Sequence, residues 1–209
     1  MKIDLKKLFP VVFWGSVWGL CEASLGYLLH IADFIPMSSS LILVPLAVYF
    51  LKTLYNKTGS AFSVFAASVV AAVIKCLDFL LPFLPAIKTL NPIFAILAEG
   101  LAALAFIKLL AEKNPLKTIG AAVGISLAWR LAFLIVNIPV YLITSAGILK
   151  FGAANAVEFV ILEGLASAAV IFGVSYIPAP KKESYNIGIF PAVGAFIIAI
   201  GAEALFMNL

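Results

Sequence analysis

The chain has 209 residues, of which 64% are hydrophobic and 11% charged, with a formal net charge of +4. Soluble domains carry roughly half apolar and about a quarter charged residues, so this composition excludes an ordinary water-soluble fold and predicts an integral membrane protein. The positive charge is accounted for by membrane topology rather than by a nucleic-acid partner. One His with two separated Cys, Cys21 and Cys76, cannot assemble a typical zinc site.

Lys2, Lys6 and Lys7 precede the first predicted span, Phe9 to Leu29. It runs past signal-peptide length and contains Glu22 with no evident small-residue cleavage site, so it is read as a retained helix. After a loop with His30, Asp33 and Pro36, Ser38 to Ser40 cap a second span, Leu41 to Tyr55, which exits through Lys52, Lys57 and Gly59. The third span is Ala61 to Leu84, with Pro82 and Pro85 at its end. Asn91 and Pro92 read as cap and first turn of the fourth, which leaves through Lys108, Lys113 and Lys117. The fifth, Thr118 to Thr144, is kinked or broken by Pro139. The sixth runs from Asn155 to Tyr176, PAPKKES (Pro178 to Ser184) forms a polar connector, and the seventh is Ile187 to Phe206.

The expectation is an all-α integral membrane protein, a bundle of about seven transmembrane helices forming a single polytopic domain over residues 1–209. With the N-terminus cytoplasmic, the inner segments hold Lys2, Lys6, Lys7, Lys52, Lys57, Lys108, Lys113, Lys117, Lys181 and Lys182, whereas the outer loops hold only Lys88 and Lys150. That asymmetry predicts a multi-pass protein of the cell (plasma) membrane with its C-terminus outside.

One pattern stands out within the spans. NPIFAILAEGLA, Asn91 to Ala102, returns 64 positions later as NAVEFVILEGLA, Asn155 to Ala166. Each copy follows a span carrying a basic residue, Lys75 or Arg130, so the repeating unit is a two-helix hairpin. Glu22-Ala23-Ser24-Leu25 is a partial echo. Counting along the helices places Glu22, Glu99 and Glu163 at one level, about 12 Å in, with Lys75, Asp78, Arg130 and Glu203 near it.

A charge at mid-membrane costs roughly 2.5 to 3.5 kcal/mol, so seven facing lipid would cost about 15 to 25 kcal/mol. These side chains must face inward. One reading is structural, with Lys75 paired to Glu99 and Arg130 to Glu163. The other is a polar cavity open to the outside, because the inner halves of the spans are almost free of ionisable and amide groups. Acids outnumber bases there, which points to a cationic or zwitterionic ligand. Candidate ligand-binding residues are Trp18, Glu22, Lys75, Asp78, Glu99, Trp129, Arg130 and Glu163. Trp18 is one helical turn from Glu22 and offers a stacking surface, whereas Asn91 and Asn155 read mainly as helix caps. No catalytic or metal motif is present, so neither an enzyme nor a cofactor is expected. A cation or proton pathway through the same carboxyls is the alternative.

The first span also carries Gly15, Gly19 and Ala23 at four-residue spacing, a stripe that lets another helix come close. With the small size, the outward polar site and the near absence of soluble mass, this layout resembles the substrate-binding S components of energy-coupling factor transporters. The resemblance implies a small-molecule ligand, a separate transmembrane coupling subunit with two ATPases, and a partner contact at Gly15, Gly19 and Ala23. It also implies that the loop Tyr27 to Ser40 covers the ligand. S components usually have six helices with both termini inside; this chain has seven predicted spans.

Overall fold

The computed structural model describes residues 5–31, 38–80, 86–112, 114–178 and 187–206. Among these residues there is no strand, and seven helices are long and apolar enough to cross a membrane. They are α1 (Leu5–Ile31), α2 (Ser38–Thr58), α3 (Ala61–Lys75, continued by the 3-10 turn Cys76–Leu80), α4 (Ala86–Leu110), α5 (Pro115–Thr144), α6 (Ala153–Ser175) and α7 (Ile189–Phe206). Residues 32–37 of the expected covering loop lie outside the described residues, as do Pro82, Pro85, Lys113 and most of the polar connector with Lys181 and Lys182.

The number of spans agrees with the sequence expectation, but several boundaries move. Helix α4 starts at Ala86, so Asn91 and Pro92 lie inside it instead of at its cap. Asn155 is likewise inside α6, exposed, with its Nδ2 donating to the Phe151 carbonyl at 2.8 Å. Helix α5 continues through Pro139 to Thr144 without a break. Pro10, Pro45, Pro92 and Pro139 are all internal to helices. An internal proline removes one hydrogen bond, and in a long apolar helix packed by neighbours that loss is tolerated.

Six helices close a ring in the order α1, α3, α4, α5, α6, α2 and back to α1, while α7 packs on the outside of α1 and touches α3. Only 17% of the apolar window of α7 is buried, against 50% for α4, as its position outside the ring requires. Large apolar side chains such as Phe62, Leu142, Ile143 and Phe190 cover the outer surface.

Small residues set the helix spacing. A Cβ on Gly100 would lie 2.0 Å from Ser68 Oγ, and one on Gly164 would lie 2.6 Å from Leu127 Cδ2. Each Glu-Gly-Leu-Ala run thus uses its glycine to seat a helix against the one before it. Gly15 and Gly19 make the same kind of approach to α3, where a Cβ would meet the Ala67 carbonyl oxygen at 2.6 Å and Ile74 Cδ1 at 2.8 Å. The stripe expected to meet a separate partner is therefore consumed by packing within the chain, and its last member, Ala23, is buried at the edge of a cavity.

Candidate functional site

At the end of the bundle where α1, α3, α5 and α7 finish and α2 and α4 begin, the helices leave a cavity of about 830 Å³. That volume lies within the range of small-molecule sites. The opposite end is filled by apolar side chains, among them Leu51, Leu54, Val64, Ala103, Ile107 and Ile125. Of the eight candidate ligand-binding residues, Glu22, Lys75, Asp78, Glu99 and Trp129 line the cavity. Trp18, Arg130 and Glu163 do not.

The expected hairpin pairs do not form. Lys75 Nζ instead lies 2.6 Å from Glu203 Oε1 on α7 and 2.9 Å from Asp78 Oδ2 on the turn after α3. The register explains the change. Ser68 is the α3 residue that faces Gly100, and Lys75 is seven residues further on, about 10 Å beyond the level of the Glu99–Gly100 step. An ammonium there reaches α7 and not Glu99. Glu203, buried and lining the cavity, lies near the site by depth but is absent from the candidate ligand set. Its partner is evident only from the packing of α7 against α1 and α3.

Glu99 is thereby left without the cation expected for it. It is 6% exposed, and its Oε2 is buried with no hydrogen-bond partner among the described residues. It also sits deeper than expected, thirteen residues from the start of α4, or about 20 Å along the helix. Glu22 and the Arg130 guanidinium both lie near enough to interact with it through space, without a direct hydrogen bond from either among the described residues. Trp18 Nε1 donates to Glu22 Oε1 at 3.0 Å, with the indole itself 1% exposed. Trp18 therefore positions Glu22 from within the core and offers no stacking face to the cavity. The aromatic wall of the cavity is instead the half-buried Phe133 ring, backed 6.3 Å away by the edge of the buried Trp129, which also borders the lining. Among the described residues, Trp129 Nε1 is a second buried group with no partner, and Asn91 Oδ1, also in the lining, is a third.

Arg130 is fully buried behind this wall. Its guanidinium lies over the Trp129 ring, 4.5 Å from the centroid, and donates to Ser126 Oγ at 2.8 Å and to Ser40 Oγ at 3.2 Å. Ser40 Oγ in turn meets Glu163 Oε2 at 3.5 Å, so a serine of α2 stands between the expected partners. Residues Glu158–Leu162 of α6 form a π-type turn immediately before Glu163. Such a turn acts like one inserted residue and swings the rest of the helix by about 100°. The two repeat glutamates consequently differ in place: Glu99 faces the cavity, and Glu163 braces its wall through Ser40.

Lys88, Ser39 and Ser40 also line the cavity, which reaches solvent at the exposed Lys88. Among the described residues, no group of three His, Cys, Asp or Glu side chains is placed to hold a metal ion. No family model matches this chain, and comparison with curated proteins and with solved structures finds no match.

Proposed function

We propose that this is a membrane-embedded transporter component that captures a small cationic or zwitterionic solute from the outside of the cell membrane. The observation that carries the reading is Glu99, a carboxyl buried beside an 830 Å³ cavity with an oxygen that no group among the described residues satisfies. A buried, unpaired carboxylate is costly, and a cationic ligand offsets that cost. A purely structural role for the charges fits less well, because among the described residues neither Glu99 nor Glu163 makes a direct ion pair and Arg130, near both, is held instead by Ser126 and Ser40. The apolar filling of the opposite end favours a capture site over an open channel.

In this reading the seven helices span the bilayer, their exposed apolar faces meet lipid, and the repeated hairpin supplies Glu99 as the cation-binding arm. The excess of basic residues at the opposite end of the bundle supports an outward-facing cavity mouth. Energy comes from a separate membrane subunit with ATPases. Because Gly15 and Gly19 are occupied by α3, that subunit docks on another face. Native mass spectrometry of gently purified protein tests the whole proposal by reporting retained solute and partner together. A monodisperse chain retaining neither would overturn it. Flux of ions into liposomes without ATP, abolished by Glu99→Gln, would replace it with a carrier or channel. The orientation is checked separately in a Cys21→Ser, Cys76→Ser background, where Lys88→Cys should react with an impermeant maleimide from outside whole cells and Lys117→Cys should not.

A further inference from the structure

The cavity wall is graded along its depth, and the grading describes a molecule. On α4 the lining reads Lys88, Asn91, Pro92, Ala95, Ile96, Glu99 from mouth to floor. The polar groups are at the two ends, and the middle is apolar. Across from that middle stand the rings of Trp129 and Phe133. At the floor, Glu22 is held by Trp18 and Glu99 keeps an unsatisfied oxygen. Toward the mouth, Asn91 keeps an unsatisfied amide oxygen and Lys88 contributes an exposed ammonium. Asn91 and Glu99 are eight residues apart, about 12 Å along the helix axis. The other acids of the lining, Asp78 and Glu203, are already engaged by Lys75.

We infer that the ligand is an elongated amphiphilic zwitterion: a cationic amine seated between Glu22 and Glu99, an apolar body along Trp129 and Phe133, and a polar or anionic end near Asn91 and Lys88. A compact amino acid, with its charges on one carbon, satisfies only one end. A long one satisfies both and removes the apolar middle from water. This inference rests on the reading of the cavity as a solute site, and it narrows that reading to a length and an order of groups.

The test is isothermal titration calorimetry of the full chain in a non-ionic detergent with ω-amino acids of increasing length. 8-Aminooctanoate should bind at least tenfold more tightly than 4-aminobutanoate, and octanoate, which lacks the amine, should not bind. Glu99→Gln should weaken 8-aminooctanoate at least tenfold. Lys88→Gln, at an exposed position where folding is not at stake, should erase most of the advantage of the long compound over 4-aminobutanoate. Equal binding of the two amino acids would overturn the elongated ligand while leaving a cation site at Glu99 standing. Binding of octanoate equal to that of 8-aminooctanoate would overturn both, as would absence of binding by every amine.

Discussion

The contact of Gly100 with Ser68 allows a sharp test of how α3 and α4 are held. A methyl group added at Gly100 would lie 2.0 Å from Ser68 Oγ and 2.4 Å from Ser68 Cβ. Carbon atoms in good contact are about 3.5 to 4.0 Å apart, so the helices would have to part by more than about 1 Å. Rotating the Ser68 hydroxyl removes the first clash but not the second, because Cβ is fixed to the backbone. Overpacking of this kind costs about 1 to 3 kcal/mol, and Gly100→Ala should fall in the upper part of that range. Ser68→Gly in the same chain deletes both offending atoms and leaves Phe65 Cδ2 at 3.5 Å, an ordinary contact. The rescuing change has its own cost of about 1 kcal/mol for a glycine inside a helix. The double variant should therefore be more stable than Gly100→Ala alone. Unfolding in detergent, tracked by intrinsic tryptophan fluorescence, measures all four proteins. A Gly100→Ala protein as stable as the parent, or a double variant no better than Gly100→Ala, would refute the reasoning.

Other contacts give three further expected outcomes. Lys75→Met leaves Asp78 and Glu203 buried without their cation and should cost about 3 to 5 kcal/mol in the same unfolding measurement, part of it recovered by adding Glu203→Gln. Trp18→Phe deletes the hydrogen bond to Glu22 and should cost about 1.5 to 3 kcal/mol beyond lost packing, whereas Trp14→Phe removes an indole N–H that has no partner among the described residues; equal losses would argue against a positioning role for Trp18. Gly59→Ala and Gly147→Ala both place a side chain at positive φ, but Gly147, at φ 85° and ψ −175°, sits in a region essentially reserved for glycine, and its Cβ would also meet Asn137 Oδ1 at 2.8 Å. Thermal melts should rank Gly147→Ala as the less stable of the two.

The spans are legible in the sequence because length and hydropathy alone define them. Their ends are not, and two Asn-Pro steps show why. Asn91-Pro92 has the form of a cap and a first turn, yet the structure uses that device at Asn114-Pro115, where Asn114 Oδ1 accepts from Leu116 N at 3.0 Å and Lys117 N at 3.3 Å. The preceding apolar residues extend α4 back past Asn91, and packing overrides the local signal. Counting depth along the helices brings Glu22, Asp78, Glu99 and Lys75 to one cavity, but partners depend on which helices become neighbours. No spacing in the chain shows that α7 lies beside α1 and α3, so the repeat points Lys75 to Glu99 in place of Glu203. The π-type turn before Glu163 leaves the spacing of the repeat unchanged while altering where the second glutamate lies.

The ring has one seam that the order of synthesis leaves until last. Ser40 meets Glu163 and Lys52 Nζ donates to the Ser175 carbonyl, both across 123 residues, so α2 and α6 run side by side in the same direction and are fastened at two heights. During synthesis α2 emerges second; its Ser40 can meet Arg130 once α5 is made, but Lys52 has to wait for the Ser175 carbonyl, and Ser40 for Glu163, until α6 follows. The barrel of helices can therefore close only as a late step, after α3, α4 and α5 have been laid down between the two sides of the seam. An assembly arrested before that point leaves Lys52 without the Ser175 carbonyl, so the α2 side of the seam is unfastened at that height until α6 is in place.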